Sequence, residues 1–159
     1  MSKKIIITGG LGYIGTELCK LYSGLSWHHK IIVIDNRFIS ERVNQIRNWN
    51  MEFIQGDILD KNLIKKYFKD ADVVHHLAGV TAVPRTKSES TEEKDENIRL
   101  VGIEGTKNIL DAISNKCKIV FPSTHVVYEG VDEVKTDIKE EEVTKPILAY
   151  SSSKAENEK

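Results

Sequence analysis

The run Ile5-Ile6-Ile7 passes straight into Thr8-Gly9-Gly10-Leu11-Gly12-Tyr13-Ile14-Gly15, and an amphipathic stretch carrying Leu18, Leu21 and Tyr22 follows. A β-branched apolar run reads as a buried strand, and the spaced glycines read as a tight turn opening a helix. A second apolar run ends on Asp35, about twenty residues beyond the turn. Strand, glycine turn, helix and carboxylate-tipped strand together supply what is needed to hold both ends of an adenosine diphosphate. The glycines allow the tight turn, the close approach of backbone to a pyrophosphate, and the packing of helix on strand. N–H groups at the helix start, at Tyr13 and Ile14, then face the phosphates, where the helix dipole favours negative charge. Asp35 is expected to accept hydrogen bonds from the adenosine ribose and to repel a 2′-phosphate, which favours NAD over NADP. Two glycine registers fit, Gly9/Gly12/Gly15 and Gly10/Gly12/Gly15, and both stand.

A chain of 159 residues with 40% hydrophobic content has enough apolar mass for one globular domain. Its net charge of −1 offers no field to attract nucleic acid or an anionic membrane, so neither is expected as a partner. No apolar stretch approaches the roughly 20 residues of a membrane span, and the N-terminus enters a strand without a signal-peptide pattern. Cys19 and Cys117 have no metal-type spacing and read as thiols of a reducing compartment. These features together predict a cytoplasmic protein with no metal site.

Short apolar runs alternate with amphipathic stretches along the whole chain. Strands are expected at 4–8, 30–35, 51–55, 72–77 and 118–123, and helices at 13–23, 40–48, 60–69, 89–115 and 148–159. β-Branched strands alternating with helices imply an α/β fold, with a parallel sheet buried on both faces and right-handed crossovers. With the glycine turn after the first strand, this is a Rossmann-type doubly wound sheet of order 3-2-1-4-5, its ligand over the switch between strands 1 and 4. The segment 88–97, with Glu89, Glu92, Glu93, Asp95 and Glu96, reads as a solvated helix start. The long acidic stretch 129–145 reads as either a functional lid or a mobile loop.

Tyr150 and Lys154 stand four residues apart in the last helix pattern, which puts both side chains on one face. A free phenol titrates near ~10, so a tyrosine base at neutral pH needs a depression of about 3 units, roughly 4 kcal/mol. An ammonium about 4 Å away at an effective dielectric of ~20 supplies on the order of that amount. Ser123 and Thr124 put hydroxyls at the end of the fifth strand, where ligands of such sheets bind.

Several motifs accompany these residues: Thr8-Gly9…Gly12…Gly15, Asp35-Asn36, Gly56-Asp57-Ile58, His76-Leu77-Ala78-Gly79, Gly105-Thr106-Lys107-Asn108, Ser123-Thr124…Val127-Tyr128 and Tyr150…Lys154. In their order and spacing, the whole chain resembles the extended short-chain dehydrogenase/reductase family, in its NAD-dependent epimerase/dehydratase branch acting on nucleotide sugars. The resemblance implies that Asp35 and Asn36 belong to the cofactor site. It further implies that Asp57 and Ile58 contact adenine, and that Leu77, Ala78 and Gly79 line a cofactor ribose. Thr124, Tyr150 and Lys154 match the family's catalytic set. Thr124 orients substrate, Tyr150 is the acid/base, and Lys154 holds the nicotinamide ribose while favouring the phenolate. On this pattern a substrate hydroxyl gives its proton to Tyr150 as hydride passes to NAD⁺. An epimerase then returns the hydride to the other face of the keto-sugar. Dehydratases of the family place an Asp-Glu pair after the strand-end Thr, whereas this chain has His125-Val126. Epimerisation or simple oxidation/reduction is therefore favoured.

The chain departs from the family at three places. Gly102 stands where the family has Asn, and Glu129 is an extra residue between Tyr128 and Gly130. Family members also continue well past Lys159. The resemblance thus implies an N-terminal NAD-binding domain, 1–159, of a longer enzyme, without the sixth strand and without the C-terminal substrate domain. It leaves a homodimer through the 89–115 and final helices open. A non-catalytic NAD-binding or sensing module is the alternative reading. His75 and His76, on alternate faces of strand four, are expected to pack rather than bind metal. His125 and Arg85 each read as either facing substrate or solvated.

Overall fold

Runs such as Lys4–Thr8 and Lys30–Asp35 form strands because their β-branched side chains suit a pleated surface covered on both faces. The computed structural model describes residues 1–80, 82–131 and 136–159. In chain order the elements are β1 (Lys4–Thr8), α1 (Tyr13–Tyr22), β2 (Lys30–Asp35), α2 (Ser40–Asn48), β3 (Glu52–Gln55), α3 (Lys61–Phe68) and β4 (Val73–His76). They continue with α4 (Glu92–Arg99), α5 (Gly105–Ala112), β5 (Lys118–Val120) and α6 (Ala149–Asn157). Short 3₁₀ turns occupy Ser23–Leu25, Lys87–Glu89 and His125–Tyr128, and Leu100–Glu104 is a π-helical turn. Contacts divide the described chain into two compact units, Met1–Gly79 with Gly105–Pro122, and Val80–Glu104 with Ser123–Lys159.

The first unit holds the whole sheet, which is parallel and ordered β3-β2-β1-β4-β5, as the glycine turn after β1 requires. Thr8 lies in register with Ile34 on one side and His76 on the other. Ile5, Ile7, Ile31 and Val33 form one face of the sheet and cluster with Cys19 of α1 and Val43 and Ile46 of α2. Ile6, Ile32 and Ile34 alternate to the opposite face and are buried as well. Ile64 and Phe68 of α3 and Ile109 of α5 are fully buried.

Two elements differ from expectation. β5 ends at Val120 rather than 123, because its ladder with β4 stops at the pair His75–Val120 and Pro122 has no N–H to extend it. The 89–115 helix is interrupted by the π-helical turn that contains Gly102.

In the second unit, Asn157 Nδ2 of α6 donates to the Gly102 carbonyl at 2.8 Å. A Cβ at Gly102 would lie 3.2 Å from Cβ of Ser153, so the small residue lets α6 come close. Thr91 caps α4 through the Lys94 N–H, and Glu92, Glu93 and Asp95 fill the first turn, where the dipole favours them. Of the stretch 129–145, read from sequence as a lid or a mobile loop, residues 132–135 lie outside the described residues. Gly130 and Lys145 are joined by a 2.9 Å hydrogen bond, and the Lys145 N–H donates to the Val127 carbonyl at 2.8 Å.

Candidate functional site

Gly9 takes φ +66°, a left-handed conformation that strongly favours glycine. A Cβ there would sit 2.7 Å from the Ala78 nitrogen and 2.8 Å from the Leu77 carbonyl carbon. The turn therefore lies directly against the segment that the family resemblance gives to a cofactor ribose. A side chain at Gly15 would strike the Gly9 carbonyl and Gly10, and one at Gly10 would strike Val33. Both registers are thus used: Gly9 makes the turn, while Gly10 and Gly15 allow it to pack. Gly12 is the N-cap of α1, and no side chain caps the helix, so its leading N–H groups keep no side-chain acceptor. Tyr13 and Ile14, beside them, are exposed.

Asp35 is buried at the end of β2 and accepts from the Leu11 N–H (3.0 Å) and the Arg37 N–H (3.0 Å). The Arg37 guanidinium pairs with the same carboxylate. Asn36 Nδ2 reaches Asp57 Oδ2 at 3.4 Å, and Asp57 Oδ1 accepts from the Leu59 N–H at 2.9 Å. Ile58 is buried against Gly105 and its carbonyl accepts from Asn108, while Gly79 opens on free space. The structure thus brings Gly9, Gly12 and Gly15 together with Leu77 and Ala78, and Asn36 together with Asp57.

A buried network, partly missed from sequence, secures the turn. His76 is hydrogen-bonded to Thr8 Oγ1 through Nδ1 and to Thr106 Oγ1 through Nε2, both at 2.9 Å, and the Ala78 N–H donates to Thr8 Oγ1 at 3.1 Å. Register pairing of Thr8 with His76 is the signal that could have revealed it. His75 bonds Tyr22 at 2.8 Å, and burial, followed by the Lys118 charge, lowers its pKa. Burial pushes the Cys19 thiol up to about 12, which keeps it from acting as a nucleophile. The glycine cradle, the uncapped helix start and the buried strand-end carboxylate fit the diphosphate and ribose of a dinucleotide.

The second unit contains a pocket of about 200 Å³ lined by Val83, Pro84, Arg85, Thr124, Val126, Glu129, Leu148, Tyr150 and Ser151. Tyr150 lies in the first turn of α6, and Lys154 one turn later sets Nζ 5.9 Å from the Tyr150 ring centroid. Burial holds the Lys154 ammonium below the usual lysine range, and the Glu158 carboxylate opposes that shift. Thr124 caps the following 3₁₀ turn through the Val126 N–H. The Ser123 hydroxyl donates to Glu158 and is not among the pocket's lining residues, nor is His125.

Arg85, which the sequence left as either facing substrate or solvated, lines this pocket, and so does Glu129, which the sequence marked only as an extra residue. Glu129 Oε1 accepts from the N–H groups of Ile147 (2.7 Å) and Leu148 (2.8 Å) and from the Ser151 hydroxyl. Burial alone would raise its carboxyl, but the Ser151, Leu148 and Ile147 donors hold it below the ordinary glutamate value. Its signal was present: Glu129 is the extra residue after Tyr128. Among the described residues no cluster of His, Cys, Asp or Glu could hold a metal ion, and no helix is long and apolar enough to cross a membrane.

An α/β sheet of this order, with a glycine cradle after β1 and a Tyr–Lys helix, defines a dinucleotide-fold protein. The chain belongs to the NAD dependent epimerase/dehydratase family, whose model matches residues 5–159. It is similar to the UDP-N-acetyl-alpha-D-glucosaminuronate decarboxylase of Bacillus cytotoxicus, with 34% identity over 80% of this chain and 38% of the relative. It is also similar to the dTDP-D-glucose 4,6-dehydratase of Dictyostelium discoideum, with 30% identity over 96% of this chain and 38% of that one. A crystal structure of a UDP-glucuronic acid 4-epimerase mutant from Bacillus cereus, in complex with UDP-4-deoxy-4-fluoro-glucuronic acid and NAD, shares the fold. Its TM-score is 0.79 at 25% identity, covering 98% of this chain and 50% of that one. The chain therefore spans between about two fifths and half the length of these relatives.

Proposed function

We propose that residues 1–159 form the NAD-binding part of a nucleotide-sugar epimerase or related oxidoreductase. The observation that carries the enzymatic reading is that Thr124 and Tyr150 line one pocket, with Lys154 beside the phenol ring. Gly9, Gly12 and Gly15, with the N–H groups of Tyr13 and Ile14, would hold the pyrophosphate. Asp35 and Asn36 would hold the adenosine ribose, Asp57 and Ile58 the adenine, and Leu77, Ala78 and Gly79 the second ribose. NAD⁺, when bound, supplies the hydride acceptor.

Tyr150 takes the proton of a substrate hydroxyl that Thr124 orients by hydrogen bonding. The Lys154 ammonium would balance the charge that develops on the phenol oxygen and, with a dinucleotide bound, would hold the nicotinamide ribose. Epimerisation or simple oxidation/reduction is favoured over dehydration, because neither His125 nor Val126 carries a carboxylate. Among the described residues, the one carboxylate lining the pocket, Glu129, is engaged at the start of α6. The relatives named above act on nucleotide sugars, which supports that substrate class here. Both cysteines are free, which supports a cytoplasmic setting.

The test is an assay of NAD⁺ reduction and epimer formation across nucleotide sugars, on this chain and on any longer product of its gene. Turnover by residues 1–159 alone should be poor, because the chain spans 38% of each of the two curated relatives named above. In whichever form is active, Tyr150→Phe should cut turnover by about 100-fold or more and leave NAD⁺ affinity within a few-fold. Activity that survives the substitution would remove the tyrosine from its role.

A further inference from the structure

Asp35 is 5% exposed, and each of its carboxylate oxygens carries one backbone and one guanidinium donor. Oδ2 accepts from the Leu11 N–H at 3.0 Å and from Arg37 Nη2 at 3.4 Å. Oδ1 accepts from the Arg37 N–H at 3.0 Å and from Arg37 Nε at 3.2 Å. The two backbone donors are fixed by the turn and the strand end. The guanidinium sits on a side chain that is 57% exposed, so it is the one partner free to leave.

Its position suits a second task. A Cβ built on Gly12, the N-cap of α1, would lie 4.0 Å from Arg37 Nη2, so the cation stands beside the uncapped start of that helix. Arg42 of α2 adds another cation at the same turn, donating to the Leu11 carbonyl.

A lone carboxylate at the end of β2 discriminates against a 2′-phosphate by like-charge repulsion at close range. Here the carboxylate's charge is cancelled by a guanidinium that can turn outward. We propose that Arg37 widens the cofactor range of this site, so that it accepts the 2′-phosphorylated dinucleotide NADP alongside NAD. With NAD, the ribose hydroxyls replace the guanidinium as donors to Asp35. With NADP, the guanidinium stands between the carboxylate and the 2′-phosphate, offsetting both charges and offering its planar fork to the phosphate oxygens. Asp35 keeps the Leu11 and Arg37 N–H donors in both states. This inference rests on the dinucleotide reading of the 9–15 turn.

The test is calorimetric titration of the purified chain with NAD⁺, NADP⁺, ADP and adenosine 2′,5′-bisphosphate, with circular dichroism to confirm that each variant is folded. The wild-type chain should bind NADP⁺ within about tenfold of NAD⁺. Arg37→Gln should weaken NADP⁺ relative to NAD⁺ by about tenfold to a hundredfold, the loss expected for a charge-assisted hydrogen bond. Arg37→Lys should fall between, because it keeps the charge but not the fork. Adenosine 2′,5′-bisphosphate against ADP should show the same pattern, which would assign the effect to the 2′-phosphate. The inference is overturned if the chain binds NAD⁺ but NADP⁺ about a hundredfold more weakly, or if Arg37→Gln leaves the ratio unchanged. Failure of a folded chain to bind any of the four ligands would instead sink the dinucleotide reading itself, and this inference with it.

Discussion

Gly9 carries the tightest constraint in the chain: its φ of +66° and the 2.7 Å separation of a would-be Cβ from the Ala78 nitrogen leave no room for a side chain. Gly9→Ala should lose about 1–2 kcal/mol to left-handed strain alone, with more from displacing the Leu77–Ala78 backbone, as read by urea denaturation. Gly24, whose Cβ would meet nothing within 4 Å, is the control, and Gly24→Ala should lie within about 0.5 kcal/mol of wild type. Equal stability of the two variants would contradict the turn geometry. At this scale the sequence revealed the glycines and Asp35 but not which glycine turns the chain, because spacing carries no φ. Arg37 was hidden for a different reason. An exposed arginine two residues past a strand-end carboxylate is common on surfaces, and only the burial of Asp35 makes the pair notable.

Helix α6 begins after Leu148, which has no side-chain oxygen to cap it. Glu129 supplies the acceptor from nineteen residues upstream, through the Leu148 N–H and that of Ile147. Its carboxyl titrates below the ordinary value of 4.5 in the folded chain, since hydrogen bonding outweighs desolvation. The sign follows from a depressed acid: the stabilisation is fully present above about pH 4.5 and is lost as pH falls through the lower folded value. The amide resonances of Ile147 and Leu148 should therefore titrate together below pH 4.5, and Glu129→Gln should remove that transition. Shifts that survive Glu129→Gln would contradict the cap. Hydrophobic period made ten element positions readable to within a few residues, as with Ser40–Asn48, expected at 40–48. The π-helical turn escaped, because it breaks no apolar period, and the bond made there by Asn157 to the Gly102 carbonyl has no local signature.

For the molecule as a whole, strand–helix alternation and a glycine turn after the first strand were enough to read the order β3-β2-β1-β4-β5. That order follows from handedness and the switch point rather than from any single residue. Thr124 and Tyr150 were readable as pocket residues because one follows the fifth strand and the other opens a helix. Arg85 and Glu129 come from irregular segments without a period, so their convergence on the same pocket needed coordinates. The account depends most on the 9–15 turn of the first unit seating a dinucleotide. Gly12→Val tests it selectively: a Cβ there meets the Gly9 carbonyl at 3.1 Å, a near fit for the fold, yet the branches fill the space where a phosphate must come. Calorimetric titration of NAD⁺ should show saturable one-to-one binding to the unaltered chain and a loss of about tenfold or more in folded Gly12→Val. A folded chain that binds no NAD⁺, or that binds it equally well with valine at this position, would contradict the account.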